Sequence, residues 1–343
     1  LSFEAVADAR AAGDVDALLA GLGARHVALW TPDGLSERLA VAQEMIDLAR
    51  EHDRPEAEVQ GRNWRCVDLW ELGAIEDFET EAAHHARLAN ELHLPTFRWY
   101  EPLWQGSLAA LRGDYAHAER LVAEAQAAGE RAGDRNAGLF AYGMRTWMHT
   151  SVGAFTEAGL AEVDAYVRAS PAVPAWRCLR GWFLAELGRR DEAQRELDAL
   201  AGERFSLFPK DANWMPAVAE LTETVRILGD RARAAELYAL LLPYRDRHLC
   251  CMRASWSFGP AEDALAVLAA TSGDTQAAQE HFEAALAVEA SWGARAWWAR
   301  TGFRYARFLA ARGGPGDDER ARRLTAAALA EVRGAGLPDS AVP

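Results

Sequence analysis

The chain has 343 residues, half of them apolar, which is material for two or three ordinary domains or for one elongated array. Its formal net charge is −14 with the acidic excess spread along the chain, and this argues against nucleic acid or an anionic membrane as the main partner, because either wants a basic face. No run of about 18 apolar residues offers a membrane span, and no segment reads as a signal peptide. The four cysteines, Cys66, Cys178, Cys250 and Cys251, form no C-x-x-C pair, so they read as reduced thiols of a cytoplasmic protein. Of the 37 basic residues only Lys210 is lysine, a bias that points to a GC-rich bacterial genome more than to a function.

Along the chain, "LSFEAVADARAAGD" opens inside a helical pattern without an initiating methionine, and residues 1–12 are expected to be the tail of a preceding helical unit, cut from something longer. Thereafter apolar residues recur three and four apart nearly everywhere, which is the helical period, and strand-like alternation is almost absent. Glycine turns punctuate this pattern at Gly34, Gly73, Gly113, Gly153, Gly188, Gly229, Gly273 and Gly313, at intervals of 39, 40, 40, 35, 41, 44 and 40 residues. That regularity predicts a repeat array in which each unit is helix, glycine turn, helix. First helices (A) are expected near 15–30, 55–72, 96–112, 137–152, 174–187, 213–228, 259–272 and 294–312. Second helices (B) follow near 35–51, 76–92, 114–131, 155–169, 190–201, 230–245, 274–291 and 317–334. Asp114, Asp230 and Asp274 stand where they can cap a B helix, and Ala118, Ala158, Ala193, Ala234 and Ala278, each five residues past a turn glycine, let two helices approach closely. Residues 13–336 then form the repeat domain and 337–343 a polar tail.

The glycine turn, the alanine that follows it, the Ala278, Phe282 and Ala285 spacing, and the small Gly106 and Gly181 on helix A together resemble the tetratricopeptide repeat (TPR) family. The period exceeds the family's 34 residues and the unit-ending proline is mostly missing. Longer units of this kind resemble the helical arms of large bacterial LuxR-type regulators such as the maltose-regulon activator, and of related multidomain signalling ATPases. The phrases "RNWRCVDLWELG" (62–73) and "PAWRCLRGWFLAELGRRDEA" (174–193) carry that closer likeness. The resemblance implies an all-α fold, a TPR-like α-solenoid, as a right-handed superhelix of about eight units with the A helices lining its concave face.

Chemistry is sparse by comparison. A P-loop needs Gly-Lys-Ser/Thr, and the sole lysine sits in "FPKD". The stretches "GLG" (21–23) and "GGPG" (313–316) lack the spacing of a dinucleotide fingerprint, and no H-E-x-x-H or G-x-S-x-G occurs. His248, Cys250 and Cys251 in "RHLCCMR" chelate one ion poorly and read as an ordinary inter-helix segment, while His84 and His85 read as a solvated face. No catalytic residue, cofactor or metal is therefore assigned.

Tryptophan is the unusual signal: 12 of the 13 lie on or just before A helices. If A helices line the groove, groove-facing positions lie thirteen, ten, six and three residues before each turn glycine. Counting back selects Asn63, Trp70, Tyr100, Ser107, Trp147, Thr150, Trp182, Glu223 and Arg226 as candidate binding residues. Two readings compete for the aromatics. Either they fill the seams between helices, or Trp70, Tyr100, Trp147 and Trp182 form an aromatic stripe for a peptide, a sugar or a flat apolar ligand. On the second reading, Trp147→Ala and Trp182→Ala weaken binding and leave melting nearly intact. Glu223, Arg226 and Asp263 read as a solvated charge set.

The functional expectation is a non-catalytic interaction or ligand-sensing arm of a bacterial signal-transduction or transcription-regulatory ATPase. It would receive a protein, a peptide or a small-molecule inducer in its groove, without direct nucleic acid or membrane contact. The alternative is a free-standing TPR scaffold that grips a peptide or helix of a partner protein.

Overall fold

The structure is a computed structural model that describes residues 2–202, 205 and 208–336; the expected polar tail at 337–343 lies outside the described residues. Most described residues are helical, as the three-and-four spacing predicts. In chain order the helices are α1 (Ser2–Ala12), α2 (Val15–Ala28), α3 (Leu35–Glu51), α4 (Pro55–Leu72), α5 (Ile75–Glu91), α6 (Pro95–Arg98), α7 (Tyr100–Leu111), α8 (Tyr115–Arg131) and α9 (Asn136–Ser151). They continue as α10 (Glu157–Ala169), α11 (Pro174–Glu186), α12 (Arg190–Ala201), α13 (Trp214–Leu228) and α14 (Arg231–Leu241). After strands β1 (His248–Cys251) and β2 (Trp256–Pro260) come α15 (Ala261–Ser272), α16 (Thr275–Trp292), α17 (Arg295–Arg312) and α18 (Asp317–Gly334). No helix among the described residues is long and apolar enough to cross a membrane.

The turns follow from local chemistry. Seven of the eight turn glycines, from Gly73 to Gly313, have positive φ, the left-handed region that ends a helix without a Cβ clash. At Gly73 the amide bonds Trp70 O at 3.0 Å and the next amide bonds Leu69 O at 3.0 Å, so the last carbonyls of α4 are satisfied. Gly34 is glycine for another reason: its φ is −87°, but a Cβ there would stand 2.0 Å from Leu29 O. Asp114, Asp230 and Asp274 accept from the amides three residues on, at 3.0, 3.1 and 3.0 Å. Ala118, Ala193, Ala234 and Ala278 are fully buried. Ala158 is exposed, because Thr156 caps α10 and turns Leu160 and Val163 inward instead.

Among the described residues strands appear only in the β1–β2 hairpin, where the sequence pattern suggested an inter-helix segment and helix from 259. Gly259 at φ 93° and Pro260 in extended backbone delay α15 to Ala261. At the hairpin tip Met252, Arg253 and Ala254 all take positive φ, 52°, 52° and 67°, a costly conformation for residues with a Cβ.

The chain divides into two compact units. The first comprises Leu1–Ser107, Ala118–Met144 and Met252–Trp256, so the hairpin tip belongs to it. Its amino-terminal core joins Leu18, Leu22, Val41, Met45 and Trp64 across α1 to α4. The second comprises Leu108–His117, Arg145–Cys251 and Ser257–Pro343. Its core includes Ala266, Phe282, Tyr305 and Leu309, where Phe282 and Tyr305 stack at 5.1 Å. Within this unit two arginines near the start of B helices seal the end of the next A helix. Arg190 donates to Ile227 O and Leu228 O at 2.9 and 3.0 Å, and Arg231 donates twice to Ser272 O at 3.2 and 2.9 Å. The guanidinium of Arg231 occupies the space that a side chain on Gly273 would need.

Candidate functional site

In the first unit, helices α4 and α7 carry polar and aromatic side chains that converge on the tip Met252–Trp256. The Arg253 guanidinium donates to Asn63 Oδ1 at 2.8 Å and lies over the rings of Trp30 and Tyr100, at 5.7 and 5.9 Å from their centroids. Trp104 Nε1 donates to the Arg253 carbonyl at 2.9 Å, and the Ser107 hydroxyl donates to the Ala254 carbonyl at 2.6 Å. The missing side chain of Gly143 on α9 leaves room for the Met252 sulfur, which would sit 2.4 Å from an added Cβ. Three kinds of recognition are thus assembled: two donors for main-chain carbonyls, an acceptor and two ring faces for a guanidinium, and a slot for a thioether.

The orientation of Asn63 follows from burial one layer deeper. His85, expected on a solvated face, is fully buried against Trp104, Phe97 and Tyr100, while His84 beside it is exposed. Burial, reinforced by the positive charge of Arg62, pushes the His85 pKa down to about 3, so the ring is neutral near pH 7. The neutral tautomer that carries its proton on Nδ1 accepts at Nε2, 3.5 Å from Asn63 Nδ2. The amide nitrogen thereby faces His85 and the oxygen faces Arg253. Burial also raises the Tyr100 phenol, a shift the Arg253 guanidinium opposes.

Beside Trp30 lies a buried ionic cluster. His26 bonds Asp68 at 2.8 Å, Arg38 pairs with Asp68 at 3.1 Å and with Glu71, and the Arg38 guanidinium sits 5.6 Å from the Trp30 ring centroid. Trp64 stacks on His26 at 4.5 Å. This cluster fixes the ring on which Arg253 rests.

Of the nine expected site residues, Asn63, Tyr100 and Ser107 meet at the tip. Trp70 does not: it is fully buried and packs on Phe78 at 4.8 Å. In the second unit Trp147 and Trp182 are 1% and 4% exposed, so an open aromatic stripe is replaced by core packing. Thr150 spends its hydroxyl on Thr146 O at 2.8 Å. Trp182 packs edge-on against Phe155 at 5.1 Å and donates to Glu186 at 3.3 Å.

Glu223 and Arg226 are not a solvated charge set but part of a buried network. Arg226 bridges Glu223 and Glu186 at 2.8 and 3.2 Å. Arg304 on α17 joins Glu223 to Asp263, the latter at 2.7 Å, and Arg300 adds to Asp263 at 3.1 Å while lying 3.6 Å over the Trp297 ring. Although burial alone would raise it, Glu223 is held far below the usual carboxylate range by Arg304 and Arg226. Burial lowers Arg300 to about 10, with Arg304 beside it adding to the shift. Glu289 goes the other way: burial and the charge of Asp263 push it well up. Thr301 Oγ1 lies 3.1 Å from Asp263 and 2.8 Å from Glu289, and one hydroxyl proton cannot serve two carboxylates. A protonated Glu289 resolves this by donating to Thr301, which donates to Asp263. Trp182, Thr222, Glu223, Phe258, Asp263 and Arg300 line a cavity whose space for a water's centre is ≈ 10 Å³, room for about one water.

His248, weighed as a metal ligand, bonds the Ser257 hydroxyl at 2.6 Å and packs on Trp292. Among the described residues no group of three His, Cys, Asp or Glu side chains is placed to hold a metal. Sequence reasoning missed Trp30, Trp104 and Arg253 as a group. The available signal was the 44-residue interval between Gly229 and Gly273, the longest of the series, which contains the hairpin. Against known proteins, no family model matches the chain and no curated protein is significantly similar to it.

Proposed function

We propose that this chain is a non-catalytic interaction arm: a TPR-like α-solenoid of about eight units, serving a cytoplasmic bacterial signal-transduction or transcription-regulatory ATPase. The solenoid reading is supported by the turn glycines at intervals near 40 residues, by their left-handed backbone and by the Asp caps that follow. The observation that carries the functional reading is the grip of Asn63, Tyr100, Trp104 and Ser107 on a turn of polypeptide. Side-chain donors aimed at main-chain carbonyls, beside a cradle for one side chain, are how a surface reads a peptide. A protein segment is therefore favoured over a small-molecule inducer as the ligand of this face.

The full-length reading frame tests the assignment. A P-loop ATPase module encoded in frame upstream of Leu1 is the expected result. A start codon immediately before Leu1 would overturn it in favour of a free-standing peptide-binding scaffold.

A further inference from the structure

The hairpin tip is an odd thing to find on a peptide-reading face. Three successive non-glycine residues are held at positive φ, and such strain persists only where the surroundings over-determine it. The surroundings here are the recognition groups themselves: Trp30, Asn63, Tyr100, Trp104, Ser107 and Gly143. Little of the grip depends on which chain supplies the turn. Two of its hydrogen bonds go to main-chain carbonyls; Met252 and Arg253 are half-buried, and Ala254, Ser255 and Trp256 are buried. The turn is closed on itself, with the Ser255 amide and hydroxyl both bonding Met252 O, at 3.2 and 2.7 Å. It is a compact unit.

We propose that Met252–Trp256 is a built-in pseudoligand: it occupies a site for an arginine-bearing turn of a partner protein, and the partner must displace it to bind. This rests on the interaction-arm reading and gives that face a ligand class. The site selects arginine over lysine, because a flat guanidinium both lies against the Trp30 and Tyr100 rings and donates to Asn63. It selects a small residue next, because the Ala254 side chain is fully buried. The tip sets the threshold. A site open a fraction f of the time binds with its intrinsic Kd divided by f, so a tip docked nine-tenths of the time costs a competitor tenfold in affinity.

The test uses the whole chain and the synthetic probe acetyl-Gly-Arg-Ala-Ser-amide, which lacks methionine. Binding is measured by calorimetry to wild type, Arg253→Ala and Gly143→Ala. The first variant removes the tip's own guanidinium. The second adds a methyl that would stand 2.4 Å from the Met252 sulfur and 3.4 Å from the Trp256 ring, disfavouring the docked tip by another route than the first, while alanine itself favours helix α9 over glycine. Both variants are expected to bind the probe at least tenfold more tightly than wild type, and adding Asn63→Ala to either is expected to remove the gain. In wild type, saturating probe should speed hydrogen exchange of the amides at 252–256. Equal binding to wild type and both variants, with exchange unchanged, would overturn the pseudoligand while leaving a peptide-binding face. Binding to none of the three would overturn the proposed site itself, and the reading-frame result would still decide the interaction-arm assignment separately.

Discussion

Arg304→Met is the sharpest probe of the second unit. Arg304 pairs with both Glu223 on α13 and Asp263 on α15, and its side chain is 11% exposed. At a charge separation of about 4 Å and an effective dielectric near 20, each pair attracts by about 4 kcal/mol, and desolvation of the ions offsets much of that. Methionine keeps the volume but takes one of two arginine partners from each carboxylate, leaving Glu223 to Arg226 and Asp263 to Arg300, so the cost stays below the about 3–5 kcal/mol of a wholly unpaired buried charge. The pH dependence gives the mechanism away. Glu223 is depressed in the folded protein, so its contribution is present above its unfolded pKa of 4.5 and is lost only as pH falls through the lower folded value. Without Arg304 two buried carboxylates are left with one arginine partner each, a deficit that protonation relieves, so the loss should be largest at pH 7–8 and shrink towards pH 4–5. Urea unfolding followed by tryptophan fluorescence at both pH values, with the m-value checked for constancy, measures it. A loss below about 1 kcal/mol, or one equal at the two pH values, would refute the reasoning.

The other expectations follow from burial. Glu289→Gln should be near neutral below pH 4.5 and stabilising at pH 8, because the wild-type carboxyl, raised in the folded state, loses stability as pH climbs above 4.5; paired urea melts read the difference. His85→Phe should remove a rise in stability of up to about 1.4 kcal/mol per pH unit between pH 4 and 6, since the wild-type ring is neutral when folded and protonates on unfolding over that window; thermal melts across the range test it. Trp147→Ala and Trp182→Ala should each cost about 3–5 kcal/mol through lost packing, seen in denaturant midpoints, rather than weaken binding alone.

What was legible in the sequence was local. A glycine at the end of an apolar helical stretch fixes a left-handed turn, and an aspartate after it caps the next helix, so A and B helices fall close to their expected bounds. On α4 and α7 the count from the turn selects Asn63, Tyr100 and Ser107, which meet at the tip, but also Trp70, which does not. What was not legible depends on partners far along the chain. Arg253 reaches Asn63 across 190 positions and Arg304 reaches Glu223 across 81, and no helical period encodes such pairings. His84 and His85 read alike as a solvated face, yet of the two only His85 meets α7. The tryptophans misled for a related reason: an A helix has two apolar directions, and a count from the turn cannot say which side another helix will cover.

The arginines that clasp helix ends in the second unit also limit how this gene can be recoded. Arg190 reaches two carbonyl oxygens with two forked N–H groups, and Arg231 brings two to one oxygen. An ammonium is a single point at the end of a flexible stem and reproduces neither fork. Lysine at either position would preserve the charge and leave the clasp undone, so in a chain with only one lysine the two basic amino acids are not synonyms.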